Sequence, residues 1–183
     1  MINVSPAEPG DAAAIAALLA DLGRFYGTPE PGSPDQRLSQ IAEAIFTSPP
    51  AAHALLARDD GPPSGDGPPS DGRPASDGRP ASDARPLAGL AAYSFLWPAR
   101  GLTRSLYLKE LYVADAYRGR GVGKLLMRAI FETAAQRGCS RVEWTTDTDN
   151  VAAQDFYAKL GLPSRPSKIF YRVEDTGSGL PPI

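Results

Sequence analysis

Three alternate glycines and three cations crowd one short stretch, Arg118-Gly119-Arg120-Gly121-Val122-Gly123-Lys124. Leu111-Tyr112-Val113 before it is strand-like, and Leu126, Ala129, Ile130 and Thr133 after it fall at helical spacing. The stretch therefore predicts a strand, a glycine-rich turn and a helix. The first amides of a helix lack intrahelical partners, and the aligned peptide dipoles add partial positive charge there. Glycines remove the side chains that would hold a phosphate away from those amides, and Arg118, Arg120 and Lys124 add formal charge. The chemistry predicted is anion binding, best matched to a pyrophosphate.

Spacing separates the possible ligands. A dinucleotide fingerprint needs G-x-G-x-x-G, and here the third glycine comes one residue early. A Walker A loop ends in Gly-Lys-Ser/Thr, whereas Lys124 is followed by leucine. Upstream, Glu110 sits in Tyr107-Leu108-Lys109-Glu110-Leu111-Tyr112-Val113. Neighbouring tyrosines and leucines would partly desolvate its carboxylate and raise its pKa toward a range useful to a general base. The competing reading is an exposed strand carboxylate paired with Lys109 or an arginine. Downstream, Asn150 precedes an apolar run and suits a helix N-cap. Ala153, Phe156 and Leu160 share one face of that helix, with Tyr157 beside it. Cys139 follows Gly138 and reads as a buried small residue, and the lone His53 reads as structural. No candidate nucleophile is therefore in view.

The elements that position these residues are legible in outline. Ile15, Leu18, Leu19 and Leu22 recur as one apolar stripe on a first helix from about Pro9 to Tyr26. Ser33, Pro34 and Gln36 supply an N-cap, an N1 proline and a capping-box partner for a second helix carrying Leu38, Ile41 and Ile45. Strands are expected around Val4, over Ala51 to Arg58, Leu87 to Trp97, Ser105 to Val113 and Arg141 to Thr146, with a last one near Ile169 to Val173. This mixed order indicates an α/β or α+β sheet domain with helices on its faces. From Asp59 to Pro86 alanine is the only apolar side chain, and SDGRPA occurs twice in tandem. That segment, 59–86, reads as a disordered, repeat-expanded loop inserted into a single domain spanning 1–183.

At 183 residues the chain suits one domain with a real core. A formal net charge of -2 lacks the basic excess that nucleic-acid binders carry. No basic region followed by an apolar stretch opens the chain, and no run reaches the ~18 apolar residues of a membrane helix. The expectation is a cytoplasmic protein with no nucleic-acid or membrane partner. One cysteine and one histidine leave no metal-ligand cluster.

Arg118, Gly121 and Gly123 resemble, position for position, the R/Q-x-x-G-x-G/A signature of the GNAT superfamily of acetyltransferases. Asn150-Val151-Ala152-Ala153-Gln154-Asp155-Phe156-Tyr157-Ala158-Lys159-Leu160-Gly161 is similar to that family's N-x-x-A-x-x-F-Y-x-K-x-G segment. The resemblance implies the GNAT fold, a central, mostly antiparallel sheet flanked by helices, with acetyl-CoA as cosubstrate. It also implies that the backbone from Arg118 through Gly119, Arg120, Gly121, Val122 and Gly123 to Lys124 holds the coenzyme pyrophosphate. Leu111, Tyr112 and Val113 would line the pantetheine arm along a splayed strand edge, with Asn150 contacting coenzyme or substrate. Tyr157 would direct its hydroxyl at the coenzyme sulfur, and Glu110 would take the proton of the incoming ammonium.

Residues 107–113, 138–144 and 149–150 resemble the diamine, polyamine and thialysine branch in particular. Lys109, Asp149 and Ala152 depart from that branch's acidic residue, tryptophan and proline, and a lysine near an amine site disfavours a polycation. The implied function is acetyl transfer to a primary amine of a small molecule, in a homodimer. A protein lysine or N-terminal acetyltransferase, or a coenzyme-A-binding module without catalysis, stays open beside it.

Overall fold

The computed structural model describes residues 1–28, 32–61, 86–162, 164–165 and 167–173. Most of the repeat segment, 62–85, lies outside the described residues. The chain divides into two units, Met1–Thr145 and Thr146–Ile183, and each is described by itself.

In the first unit, five strands form one sheet in sequence order: β1 (Ile2–Pro6), β2 (His53–Asp59), β3 (Leu87–Leu96), β4 (Arg104–Val113) and β5 (Cys139–Glu143). Neighbours from β1 to β4 are antiparallel, and β5 joins β4 in parallel. The expected mixed, mostly antiparallel sheet is thus present. Helices α1 (Ala12–Tyr26), α2 (Pro34–Phe46) and α3 (Val122–Gln136) complete the unit.

Local chemistry explains the boundaries. Pro9–Asp11 forms a 3₁₀ turn before α1, because the Glu8 amide donates to the Asp11 carboxylate at 2.7 Å and closes the chain there. At α2 the Ser33 hydroxyl accepts from the Gln36 amide at 3.2 Å, and the Gln36 side chain accepts from the Ser33 amide at 2.8 Å. The anticipated capping box is present. Strand β2 begins at His53 rather than Ala51, because the Ala51 and Ala52 amides donate to the Ala44 carbonyl and close the α2 loop.

Two differences concern the later strands. Strand β5 occupies Cys139–Glu143 instead of Arg141 to Thr146. It starts as soon as left-handed Gly138 ends the α3 turn and stops where β4 no longer pairs with it, after Tyr107↔Glu143. The strand expected near Ile169 to Val173 is absent, and Ile169, Phe170, Tyr171 and Val173 are exposed. Strand propensity records suitability for a pleated, half-buried surface, and these exposed side chains have no such surface.

The sheet is covered on both faces. On one, Ile15, Leu18 and Leu22 of α1 and Ile41 of α2 bury with Ala54, Leu56, Leu90 and Tyr112. On the other, α3 contributes Val122, Leu126, Met127 and Ile130, all essentially inaccessible. Each such side chain contributes about 1.5–3 kcal/mol of burial. Close approach makes that packing specific: a Cβ at Gly89 of β3 would lie 2.6 Å from the Tyr112 carbonyl and 3.2 Å from Leu126 Cδ1. The start of α3 is therefore fixed against the end of β4.

The second unit holds α4 (Val151–Lys159). Asn150 caps it, its Oδ1 accepting from the Ala153 amide at 3.0 Å. Ala153, Phe156, Tyr157 and Leu160 are half-buried.

Candidate active site

After Val113 the chain makes a 3₁₀ turn, Asp115–Tyr117, then enters the glycine stretch with Gly119 and Gly121 at φ of +73° and +81°. Left-handed backbone favours glycine at both positions. A Cβ at either residue would meet no atom within 4 Å, so the space in front of this backbone is open. Helix α3 starts at Val122, ahead of Leu126, where the apolar spacing first marks it. Its first backbone bond runs from the Leu125 amide to the Gly121 carbonyl at 3.1 Å. The amides of Val122, Gly123 and Lys124 thus precede the intrahelical ladder at the positive end of a helix whose inner face is buried. Glycine-lined, open and amide-rich, this turn fits a diphosphate.

The cations around it are used unequally. The Arg118 guanidinium donates through Nε to the Val113 carbonyl at 3.2 Å and pairs through Nη2 with Asp115 at 2.8 Å. It also lies over the Phe25 and Tyr112 rings, at 5.1 and 5.8 Å from their centroids. Arg120 packs over Tyr117 at 5.2 Å, and Lys124 is exposed. Burial pushes the Tyr117 hydroxyl above its ordinary pKa, helped by the Asp59 carboxylate to which it hydrogen-bonds. Burial likewise raises Tyr112, with Asp115 and Asp21 adding to the effect and Arg118 opposing it.

Strand β4 brings the remaining first-unit candidates to the same end of the sheet. It pairs with β5 only from Arg104 to Tyr107, so from Leu108 to Val113 that side of β4 has no strand beside it among the described residues. Tyr107 and Thr145 bridge the start of the divergence through their hydroxyls, 3.3 Å apart. Against β3 the register passes from Ala92↔Glu110 to Tyr93↔Leu108, leaving Lys109 as the extra residue of a β-bulge. Alternation from Tyr112 puts Glu110 on the α1–α2 face of the sheet. Its side chain is 29% exposed and accepts from Lys109 Nζ at 2.9 Å, the pairing that competed with a desolvated base in the sequence. Tyr157 lies on α4 with its ring 5.1 Å from Phe156 in an edge-on pair, six residues beyond the α4 start.

His53 and Cys139 occupy supporting positions. The His53 ring stacks on Tyr93 at 5.2 Å and meets Phe95 edge-on. Burial, then Arg137, lowers its pKa. Burial pushes the Cys139 thiol up against Arg104 and Arg137, which disfavours the thiolate a nucleophile needs. A groove of about 260 Å³ between α1 and α2, lined by Ala16, Leu19, Ile41, Ala44 and Ile45, shares no residue with β4 or the glycine turn. Among the described residues, no group of three His, Cys, Asp or Glu could hold a metal ion, and no helix is long and apolar enough to cross a membrane.

Three features had no sequence signal: the bulge at Lys109, the aromatic rings under Arg118, and the groove. A bulge depends on the partner strand's register, and Phe25 lies 93 positions before Arg118.

Sheet order, strand divergence and glycine-lined helix start together define an α/β fold with an open, amide-rich turn at the end of its fourth strand. The chain belongs to the acetyltransferase (GNAT) family, whose model matches residues 71–162. An L-ornithine N5-acetyltransferase of Arabidopsis thaliana is 32% identical over 75 residues, 41% of this chain and 33% of that protein. A thialysine N-epsilon-acetyltransferase of Bos taurus is 36% identical over 58 residues, 32% of this chain and 34% of that protein. The chain thus spans about a third of the length of these relatives. A solved integron cassette protein of Vibrio cholerae superposes with a TM-score of 0.73 at 21% identity, covering 97% of this chain and 94% of that one, and shares the fold.

Proposed function

We propose that the protein is an acetyl-CoA-dependent N-acetyltransferase that acts on a primary amine of a small molecule by direct attack in a ternary complex. The observation that carries this reading is the turn 118–124, where left-handed glycines leave open space in front of the amides that begin α3. The relatives act, by their names, on ornithine and thialysine, which supports a side-chain amine of an amino-acid-like molecule as acceptor.

In this reading the amides of residues 119–124 and the Lys124 ammonium bind the diphosphate. Leu111, Tyr112 and Val113 present the backbone of the divergent edge to the pantetheine arm, and Asn150 contributes a polar contact beside its capping role. Acetyl-CoA supplies an activated acyl carbon and a thiol leaving group. Glu110, directly or through a water, takes a proton from the incoming ammonium and so frees the lone pair that attacks. Lys109, paired with Glu110 at 2.9 Å, places a second positive charge there and disfavours polycationic acceptors. Tyr157 donates its hydroxyl proton, or a hydrogen bond, to the departing sulfur. The protein works as a homodimer, which light scattering would test.

Free-thiol release from acetyl-CoA across a panel of amines is the direct test. Turnover with ornithine-like amines or diamines supports the reading. Turnover on peptides alone would make it a protein acetyltransferase, and tight binding without thiol release a non-catalytic module.

A further inference from the structure

We infer that Phe25, at the end of α1, is a positioning residue for the diphosphate turn, acting through the guanidinium of Arg118; the inference rests on the acetyl-CoA reading above. Phe25 is 55% exposed, so burial does not explain an aromatic ring at this place. Its ring lies 5.1 Å beneath the Arg118 guanidinium, within the roughly 6 Å at which a cation is attracted to a ring face. On the other side the same guanidinium stands 5.8 Å from the Tyr112 ring, and Tyr112 is held in the core.

The placement of Phe25 is itself enforced. Leu22, one turn earlier, is buried. The helix is closed behind Phe25 by Gly27 at φ +68°, with the Thr28 amide donating to the Gly23 carbonyl at 2.8 Å. Arg118 in turn ties two points of the turn together, the Val113 carbonyl at 3.2 Å and the Asp115 carboxylate at 2.8 Å. These are the last residue of β4 and the first of the 3₁₀ turn. With its Nε and Nη2 donors committed inside the chain, Arg118 holds the backbone from Val113 onward in a fixed curve. Phe25 and Tyr112 fix the plane from which those donors point. The amides at 119–124 are thereby aimed before a ligand arrives, and a ligand's binding energy is not spent on ordering them.

Phe25→Leu keeps an apolar side chain and removes the ring face, and Phe25→Tyr keeps the ring. Calorimetric titration should give Phe25→Leu a Kd for acetyl-CoA about two- to fivefold above wild type, with Phe25→Tyr restored to the wild-type value. S-acetylpantetheine, which has the thioester arm and no diphosphate, should compete equally well in all three proteins. Melting temperatures should agree to within about 4 °C. Wild-type affinity in Phe25→Leu would overturn the inference, as would equal weakening toward both ligands or equal weakening in both variants. Failure of the wild-type chain to bind acetyl-CoA would overturn the functional reading itself, and this inference with it.

Discussion

Substituting Gly121 by alanine separates the turn's conformational role from its role as a cradle. Gly121 stands at φ +81°, and the left-handed region costs an L-residue about 1–2 kcal/mol. At about 2–4 °C per kcal/mol for a chain of this size, the melting temperature should fall by about 2–8 °C. Gly138, which ends α3 at φ +66°, provides a matched control, because a Cβ at either position meets no protein atom within 4 Å. Gly138→Ala should therefore lose comparable stability. The two variants should part on coenzyme binding. A methyl group at 121 enters the space that the diphosphate would fill and removes one charge-assisted hydrogen bond, about 1.5–3 kcal/mol. That corresponds to about 10- to 150-fold in Kd. Titration calorimetry with acetyl-CoA, paired with thermal melts, reads both quantities. Equal affinity in Gly121→Ala and Gly138→Ala, at equal stability loss, would refute the cradle.

Tyr157→Phe should lower acetyl transfer by about 10²-fold or more, with little change in the Kd for acetyl-CoA. Unchanged turnover would remove the general acid. Glu110→Gln should lower turnover and move the acidic, ascending limb of the pH–rate profile up toward the pKa of the free amine; an unshifted profile would remove Glu110 as base. His53 is held below its ordinary pKa, first by burial and then by Arg137, so the fold favours the neutral imidazole. The stability this gives is complete above about pH 6.5 and is lost as pH falls from there through the folded-state pKa. Thermal melts between pH 8 and 5 should fall more steeply for wild type than for His53→Gln, and parallel curves would contradict the assignment.

What was legible in the sequence was what local chemistry dictates. Ser33, Pro34 and Gln36 mark their helix start because each acts within one turn of itself. The stripe Ile15, Leu18 and Leu22 is buried as its spacing requires. The glycine turn at 118–123 was readable for the same reason, since left-handed backbone and a helix start are properties of a few adjacent residues. Pairing across the sheet was less legible. Strand β5 is bounded by where β4 accepts it, so the β-prone Trp144-Thr145-Thr146 run does not extend it. The run at 169–173 has the composition of a strand, yet its apolar side chains are exposed and it pairs with no strand among the described residues. Lys109 is extruded because β3 and β4 pass each other one residue out of step. Arg118 illustrates the limit most clearly: its charge suggested a phosphate ligand, while the Phe25 ring beneath it depends on where α1 ends.

Amide chemical shifts during titration of nitrogen-15-labelled protein with acetyl-CoA test the central claim most directly. The account predicts that the amides of residues 119–124 move most and saturate together with a single-site isotherm. Saturable shifts elsewhere with those amides unmoved, or no saturable shift at all, would contradict it.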